Sequence, residues 1–145
     1  VVIAVNSRGS ILGATLGNDV NLRDIEGRSA LLLGQAKDNN ASASVGPFVR
    51  LLDGRFTLDA LRAQTVTLEV VGADGFTMVA ESPLALISRD PVDLVAQTIG
   101  PKHRYPDGFV LYLGTMFAPV QDRDAPGLGF THHPDDVVRI GYVTE

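Results

Sequence analysis

The chain contains no cysteine. A disulfide scaffold, a thiolate zinc site and a cysteine nucleophile are thereby excluded within it. Basic residues are also scarce: 12 Lys+Arg stand against 17 Asp+Glu, for a formal net charge of -5. Binding to phosphate backbones or anionic membranes needs a basic face, so neither nucleic acid nor a membrane is an expected partner. Long apolar runs are missing too. A membrane helix needs about 20 apolar residues, and the longest candidate, Phe109 to Val120, is broken by Gly114, Thr115 and Pro119. There is no Gly-x-Ser-x-Gly elbow, phosphate loop or dinucleotide fingerprint, and no repeat or linker divides the chain.

The first residues, Val1-Val2-Ile3-Ala4-Val5, carry no basic region of the kind that opens a secretory signal. They read as the middle of a strand, so the sequence is expected to be a piece of a longer protein. The absence of cysteine and of a signal fits a cytoplasmic location. What is present is 145 residues, 45% hydrophobic and 20% charged, enough for one domain with a core.

Hydrophobic patterning predicts a mainly β chain with short helices. Val1 to Val5 and Ile11 to Leu16 form a hairpin about the turn Ser7-Arg8-Gly9-Ser10, with the second strand stopped by Gly17-Asn18-Asp19. Between Asn21 and Lys37, Gly27 and Gly34 break the apolar pattern into short helical turns. Asp38-Asn39-Asn40 is a loop, and Gly46 to Leu52 a strand ended by Asp53-Gly54. Thr57 caps one helical turn to Arg62. Val66, Leu68 and Val70 alternate with Thr67 and Glu69, and Asp74-Gly75 turns that strand into Phe76 to Glu81. Asp90 caps a helix with Pro91 at its first position, a buried stripe of Val92, Val95 and Ile99, and a stop at Gly100-Pro101. Phe109 to Leu113 and Val137 to Val143 are strands, separated by a polar loop from Asp122 to Gly129.

Four places hold residues able to carry chemistry. Asp19 at a strand end suits a hard cation, and Arg23 four residues on suits a carboxylate; equally, Asp19 can cap the next turn and Arg23 pair with a neighbouring acid. Lys37 suits polarisation of an oxo group or proton abstraction if buried; otherwise it is a solvated lysine at a helix C-terminus. Gly114-Thr115 can offer an N–H and a hydroxyl to a carboxylate, or be a β-bulge. His103, His132 and His133 read as surface or packing residues, and adjacency sends the last two to opposite sides of an extended chain.

The segment Gly17-Asn18-Asp19-Val20-Asn21-Leu22-Arg23-Asp24-Ile25-Glu26-Gly27-Arg28 resembles the central signature of the fumarylacetoacetate hydrolase family. Gln35-Ala36-Lys37, Val45-Gly46-Pro47, Arg89-Asp90-Pro91 and Gly114-Thr115 follow in that family's order. Asn18 to Asp24 and Tyr105-Pro106-Asp107-Gly108-Phe109 are most similar to members that dehydrate 2-keto-3-deoxy sugar acids. The resemblance implies a mixed, mainly β fold, a β-roll with short helices, and assigns residues 1–145 to the C-terminal part of the catalytic domain, so the fold is expected to be incomplete. It also implies a divalent cation, Mg2+ with Mn2+ or Ca2+ as alternatives, held by a Glu-x-Glu pair and an aspartate. Asp19 matches that aspartate. Arg23, Glu26, Gly114 and Thr115 match substrate-binding positions, and Lys37 matches the active-site lysine. The Glu-x-Glu pair and the histidine-bearing lid before it have no counterpart here, and Ile140 to Glu145 does not match the family's closing glycine-leucine-asparagine segment.

The chemistry so implied acts on a small 2-oxo acid through an enolate that the cation stabilises, in a protein expected to be a homodimer. Dehydration of a 2-keto-3-deoxy-pentonate is the leading expectation. Carbon–carbon bond hydrolysis of acylpyruvate- or fumarylacetoacetate-type substrates is the alternative. An inactive structural fragment is the reading from another class, and alone these residues are expected to be inactive.

Overall fold

A computed structural model describes residues 1–38 and 40–142. The chain opens with β1 (Val2–Val5) and β2 (Ile11–Thr15), joined as the turn residues require: Gly9 takes φ +80°, and the Asn6 side chain accepts from the Arg8 and Ser10 amides. The register shifts between Ala4 and Val5, where β2 carries Leu12 as an extra residue. The ladder of β2 ends just before Gly17-Asn18-Asp19, as expected, but the chain stays extended. These residues form β3 (Gly17–Asp19), which leaves the first sheet and pairs with β4 (Ala43–Val45) through Gly17↔Val45, Asn18↔Ser44 and Asp19↔Ala43. Glycine is required at 17 by crowding: a Cβ there would sit 2.6 Å from Val2 Cγ2 and 2.9 Å from Tyr112 Cε1.

Between β3 and β4 lie α1 (Arg23–Glu26), a 3₁₀ turn (Ala30–Leu32) and α2 (Leu33–Lys37), the short turns expected. Gly27 ends α1, whereas Gly34 lies inside α2 and interrupts nothing. In the predicted loop 38–40, Asn39 lies outside the described residues. The strand predicted from Gly46 to Leu52 is displaced: Gly46 and Pro47 separate β4 from a two-residue β5 (Arg50–Leu51), since proline has no N–H for a ladder.

The remaining elements follow the pattern closely. Thr57 accepts from the Ala60 amide and caps α3 (Leu58–Arg62). β6 (Thr65–Val71) and β7 (Thr77–Pro83) form a seven-pair hairpin over Gly75 at φ +85°. Asp90 accepts from the Val92 amide and caps α4 (Pro91–Thr98). In α4 the buried residues are Pro91 and Val95; Val92, expected inside, is 46% exposed because its side of the helix faces solvent. β8 is Phe109–Tyr112 and β9 is Val137–Tyr142, with Val143 outside the described residues.

All pairings are antiparallel. A four-stranded sheet runs β5-β2-β1-β8, a ribbon pairs β3 with β4, and a three-stranded sheet runs β7-β6-β9. Although the closing segment departs from the family pattern, β9 pairs with β6 over six residues. The main core joins Ile3, Val5 and Ala14 of the four-stranded sheet to Leu61, Val66, Leu84, Val95 and Leu113. A second core of Val70, Met78 and Phe130 lies where the loop before β9 crosses the β6–β7 hairpin.

Candidate active site

Asp19 ends β3, and the chain then loops through both short helices before returning. Leu22 N donates to Ala36 O at 3.0 Å, and Ala36 is fully buried, so the loop is closed at its neck. That closure carries Lys37, the last residue of α2, back beside Asp19. Lys37 Nζ donates to Asp19 Oδ2 at 2.8 Å and reaches the Asp19 carbonyl oxygen at 3.4 Å. Lys37 is half-buried rather than buried, and its Nζ is held in an ion pair with Asp19. Of its two expected uses, polarising an oxo group fits better than proton abstraction. Asp19 does not cap α1, whose N-cap is Leu22 without a side-chain bond.

Glu26 is the hub of the adjacent wall. Its Oε2 accepts from Arg23 Nη1 at 2.8 Å and from the Asn21 amide Nδ2. The Asn21 bond foremost, with the Arg23 guanidinium and the Lys37 ammonium behind it, holds the Glu26 carboxyl below its ordinary range. Arg23 thus does pair with a neighbouring acid. The Asn21 carbonyl oxygen Oδ1 is buried without a hydrogen-bond partner.

Gly114 and Thr115 arrive from the far end of the fold, just past β8. They are not a β-bulge: the ladder ends at Tyr112, and Gly114 turns the chain with φ +77°. Thr115 Oγ1 donates to Ser82 Oγ at 3.2 Å and accepts from the Phe117 amide, while the Met116 amide donates to Ser82 Oγ at 2.9 Å. Ser82 is buried on β7, in the same inward phase as Met78 and Ala80. It pins this strand end in place.

All six residues singled out from sequence line one cavity of about 440 Å³: Asp19, Arg23, Glu26, Lys37, Gly114 and Thr115. One wall is polar; the opposite wall is the apolar inner face of the β7-β6-β9 sheet. Sequence reasoning missed Asn21, Ser82 and His132, which also line it. Ser82 carried a signal, being a polar residue in the buried phase of an alternating strand. His132 carried none, because adjacency with His133 separates the two rings without saying which one faces inward. His133 bonds Asp124 at 3.1 Å and lies 3.6 Å from Asp74. Those three form the one cluster of metal-ligating type among the described residues; Asp74 is already held by Arg123, and none of the three lines the cavity.

The sequence and the fold have counterparts among known proteins. A 2-dehydro-3-deoxy-D-arabinonate dehydratase of Saccharolobus solfataricus is 28% identical over 126 residues, covering 85% of this chain and 40% of the relative. The similarity is to sugar-acid dehydratases. A probable 2-keto-3-deoxyxylonate dehydratase of Haloferax volcanii is 52% identical over 42 residues, 29% of this chain and 14% of that protein. A hexagonal crystal form of 2-keto-3-deoxyarabinonate dehydratase superimposes with a TM-score of 0.78 at 25% identity, covering 97% of this chain and 46% of that one. The same enzyme complexed with magnesium and 2,5-dioxopentanoate shares the fold, with a TM-score of 0.75 at 23% identity. No family model matches the chain. The chain therefore spans less than half the length of the relatives it matches. Among the described residues, no helix is long and apolar enough to cross a membrane.

Proposed function

We propose that these residues are the C-terminal part of a fumarylacetoacetate hydrolase-type catalytic domain, in an enzyme that dehydrates a 2-keto-3-deoxy-pentonate. The observation that carries the reading is convergence. Asp19, Arg23, Glu26 and Lys37 from one loop meet Gly114 and Thr115 from the end of β8 in a single cavity. The substrate class comes from the dehydratases to which the chain is similar.

A divalent cation fits this chain in part. Asp19 offers a carboxylate at the cavity wall, and Asn21 Oδ1 is a buried acceptor without a hydrogen-bond partner in the same wall. Mg2+ takes six oxygens, commonly from one or two carboxylates, substrate and water. Asp19 would hold the ion, and its remaining protein ligands lie in polypeptide beyond these 145 residues. When bound, such an ion supplies Lewis-acid polarisation of the 2-oxo acid.

The chain's own residues do the rest of the positioning. The Lys37 ammonium, fixed by Asp19, donates to the 2-oxo oxygen. The Gly114–Thr115 segment, pinned by Ser82, presents backbone N–H groups to the carboxylate, the Thr115 hydroxyl being spent on Ser82. Arg23 and Glu26 form one side of the pocket and keep its charge balanced.

The test is incubation of the longer polypeptide with Mg2+ and two substrates. Conversion of 2-keto-3-deoxy-pentonate to 2-oxoglutarate semialdehyde is expected. Release of pyruvate from an acylpyruvate, with the sugar acid left intact, would replace dehydration by carbon–carbon bond hydrolysis.

A further inference from the structure

We propose that His132 is a proton-transfer residue of this cavity, oriented by Asp136; the inference rests on the dehydratase reading above. The ring lies in the cavity wall, edge-on to Phe130 at 4.9 Å between centroids. Its Nδ1 is 3.3 Å from Asp136 Oδ2. Asp136 is fixed in turn. Its side chain is 4% exposed, it accepts from the His133 amide at 3.0 Å, and both its oxygens are held by Arg123, at 2.7 and 2.8 Å. Arg123 is itself buried, bonded to Asp74 and the Thr131 carbonyl and lying over the Phe76 ring. Every neighbour of Asp136 thus favours an ionised carboxylate.

An ionised carboxylate can only accept, so the proton of a neutral His132 sits on Nδ1. Nε2 is left as the basic nitrogen for a ligand in the cavity. A base oriented from behind by a fixed carboxylate is the arrangement that proton transfer from carbon requires. His133 lacks it: its two nitrogens face Asp124 and Asp74, away from the cavity.

The step balances with one group. Nε2 takes the C3 proton, and the C–H electron pair moves into the 2-oxo group as an enolate, whose oxygen meets the Lys37 ammonium. The imidazolium then returns that proton to the C4 hydroxyl. The C4–O bond breaks with its electron pair on oxygen, water leaves, and a C3–C4 double bond forms; loss of a C5 proton, reprotonation at C3 and ketonisation of the C5 enol then give the isomeric C5 aldehyde. His132 ends neutral, and nothing is oxidised or reduced. The charged or titratable groups around the ring are Asp136 and His133 on its own loop, Arg123 and Asp124 on the preceding loop, and Asp74 at the β6–β7 turn.

In the longer polypeptide with Mg2+, His132→Gln is expected to lower kcat by at least about 100-fold with KM little changed. Free imidazole should restore turnover to His132→Ala. Unsubstituted protein should exchange the C3 hydrogens of 2-oxopentanoate, which has no hydroxyl to lose, for deuterium in D2O, and His132→Gln should not. Undiminished turnover and exchange in both variants would overturn this inference alone, leaving the dehydratase reading standing. If the variants fail to fold, unsubstituted protein still decides: absence of C3 exchange during active dehydration rules His132 out as the returning base. Failure of the unsubstituted protein to dehydrate the sugar acid overturns both readings.

Discussion

At position 19 a single carboxylate faces two cations in turn, the Lys37 ammonium that the fold supplies and the metal ion proposed beside it. Asp19→Ala should remove most of the longer enzyme's activity, at least about 100-fold if the cation is lost, and weaken Mg2+ binding in calorimetric titration. Because the side chain is largely exposed, circular dichroism should be unchanged. Normal turnover with normal Mg2+ affinity would remove Asp19 from the site. Asp136 plays the opposite part, a carboxylate sequestered with Arg123. Replacing one partner strands a buried charge, so Asp136→Asn is expected to cost about 3 kcal/mol in denaturant unfolding. The Arg123 guanidinium, foremost, holds the Asp136 carboxyl far below its ordinary 3.8. The sign follows: a depressed carboxyl stabilises the fold fully above its unfolded pKa. That contribution is lost as pH falls from about 4 toward the folded value. Acid titration of stability should show this loss, and Asp136→Asn should flatten it.

Individual elements depend on a few turn positions. Gly108 and Gly75 both take positive φ, at +79° and +85°. A Cβ at Gly75 meets nothing, whereas at Gly108 it would press on the Val5 carbonyl oxygen and crowd Asn6. Gly75→Ala should therefore cost about 1 kcal/mol, from backbone conformation alone. Gly108→Ala should cost more, because β1 and β8 must shift apart as well; equal midpoints for the two variants would contradict this. Much at this scale was legible beforehand. Thr57 and Asp90 cap the helices they were expected to cap, and Asp74-Gly75 makes the hairpin it encodes, since each rests on contacts within a few residues. The strand at Gly17–Asp19 was not legible. Glycine and two Asx residues read locally as a stop, but the partner that makes them a strand lies more than twenty residues on, at Ala43–Val45.

Across the whole molecule, the four-stranded sheet is covered on both sides at Val2 and Ile3, which are adjacent on β1 and fully buried, while the face opposite Ile3 is exposed at Leu51 and Val110. Leu51, Gly13, Ala4 and Val110 stand in register on the side away from Ile3. Ile3 is fully buried at the centre of the main core, and Leu51 is 59% exposed. Ile3→Ala is expected to cost about 3 kcal/mol, whereas Leu51→Thr should stay within about 0.5 kcal/mol, both measured by thermal or denaturant unfolding of these residues. A comparable loss for Leu51→Thr would mean that its face is covered.

The sequence by itself determined the β class, the helix caps and the hairpin turns, while the six cavity residues were picked out by resemblance to a known family. The first three follow from alternation and turn chemistry, carried by neighbours along the chain. Only the tertiary structure decided that the Asp19 loop and the end of β8 share one cavity, that Lys37 is ion-paired and half-exposed, and that His132 faces inward while His133 does not. Such facts depend on which surfaces meet when sheets pack, and a one-dimensional pattern holds the period of a strand without the direction of its partner.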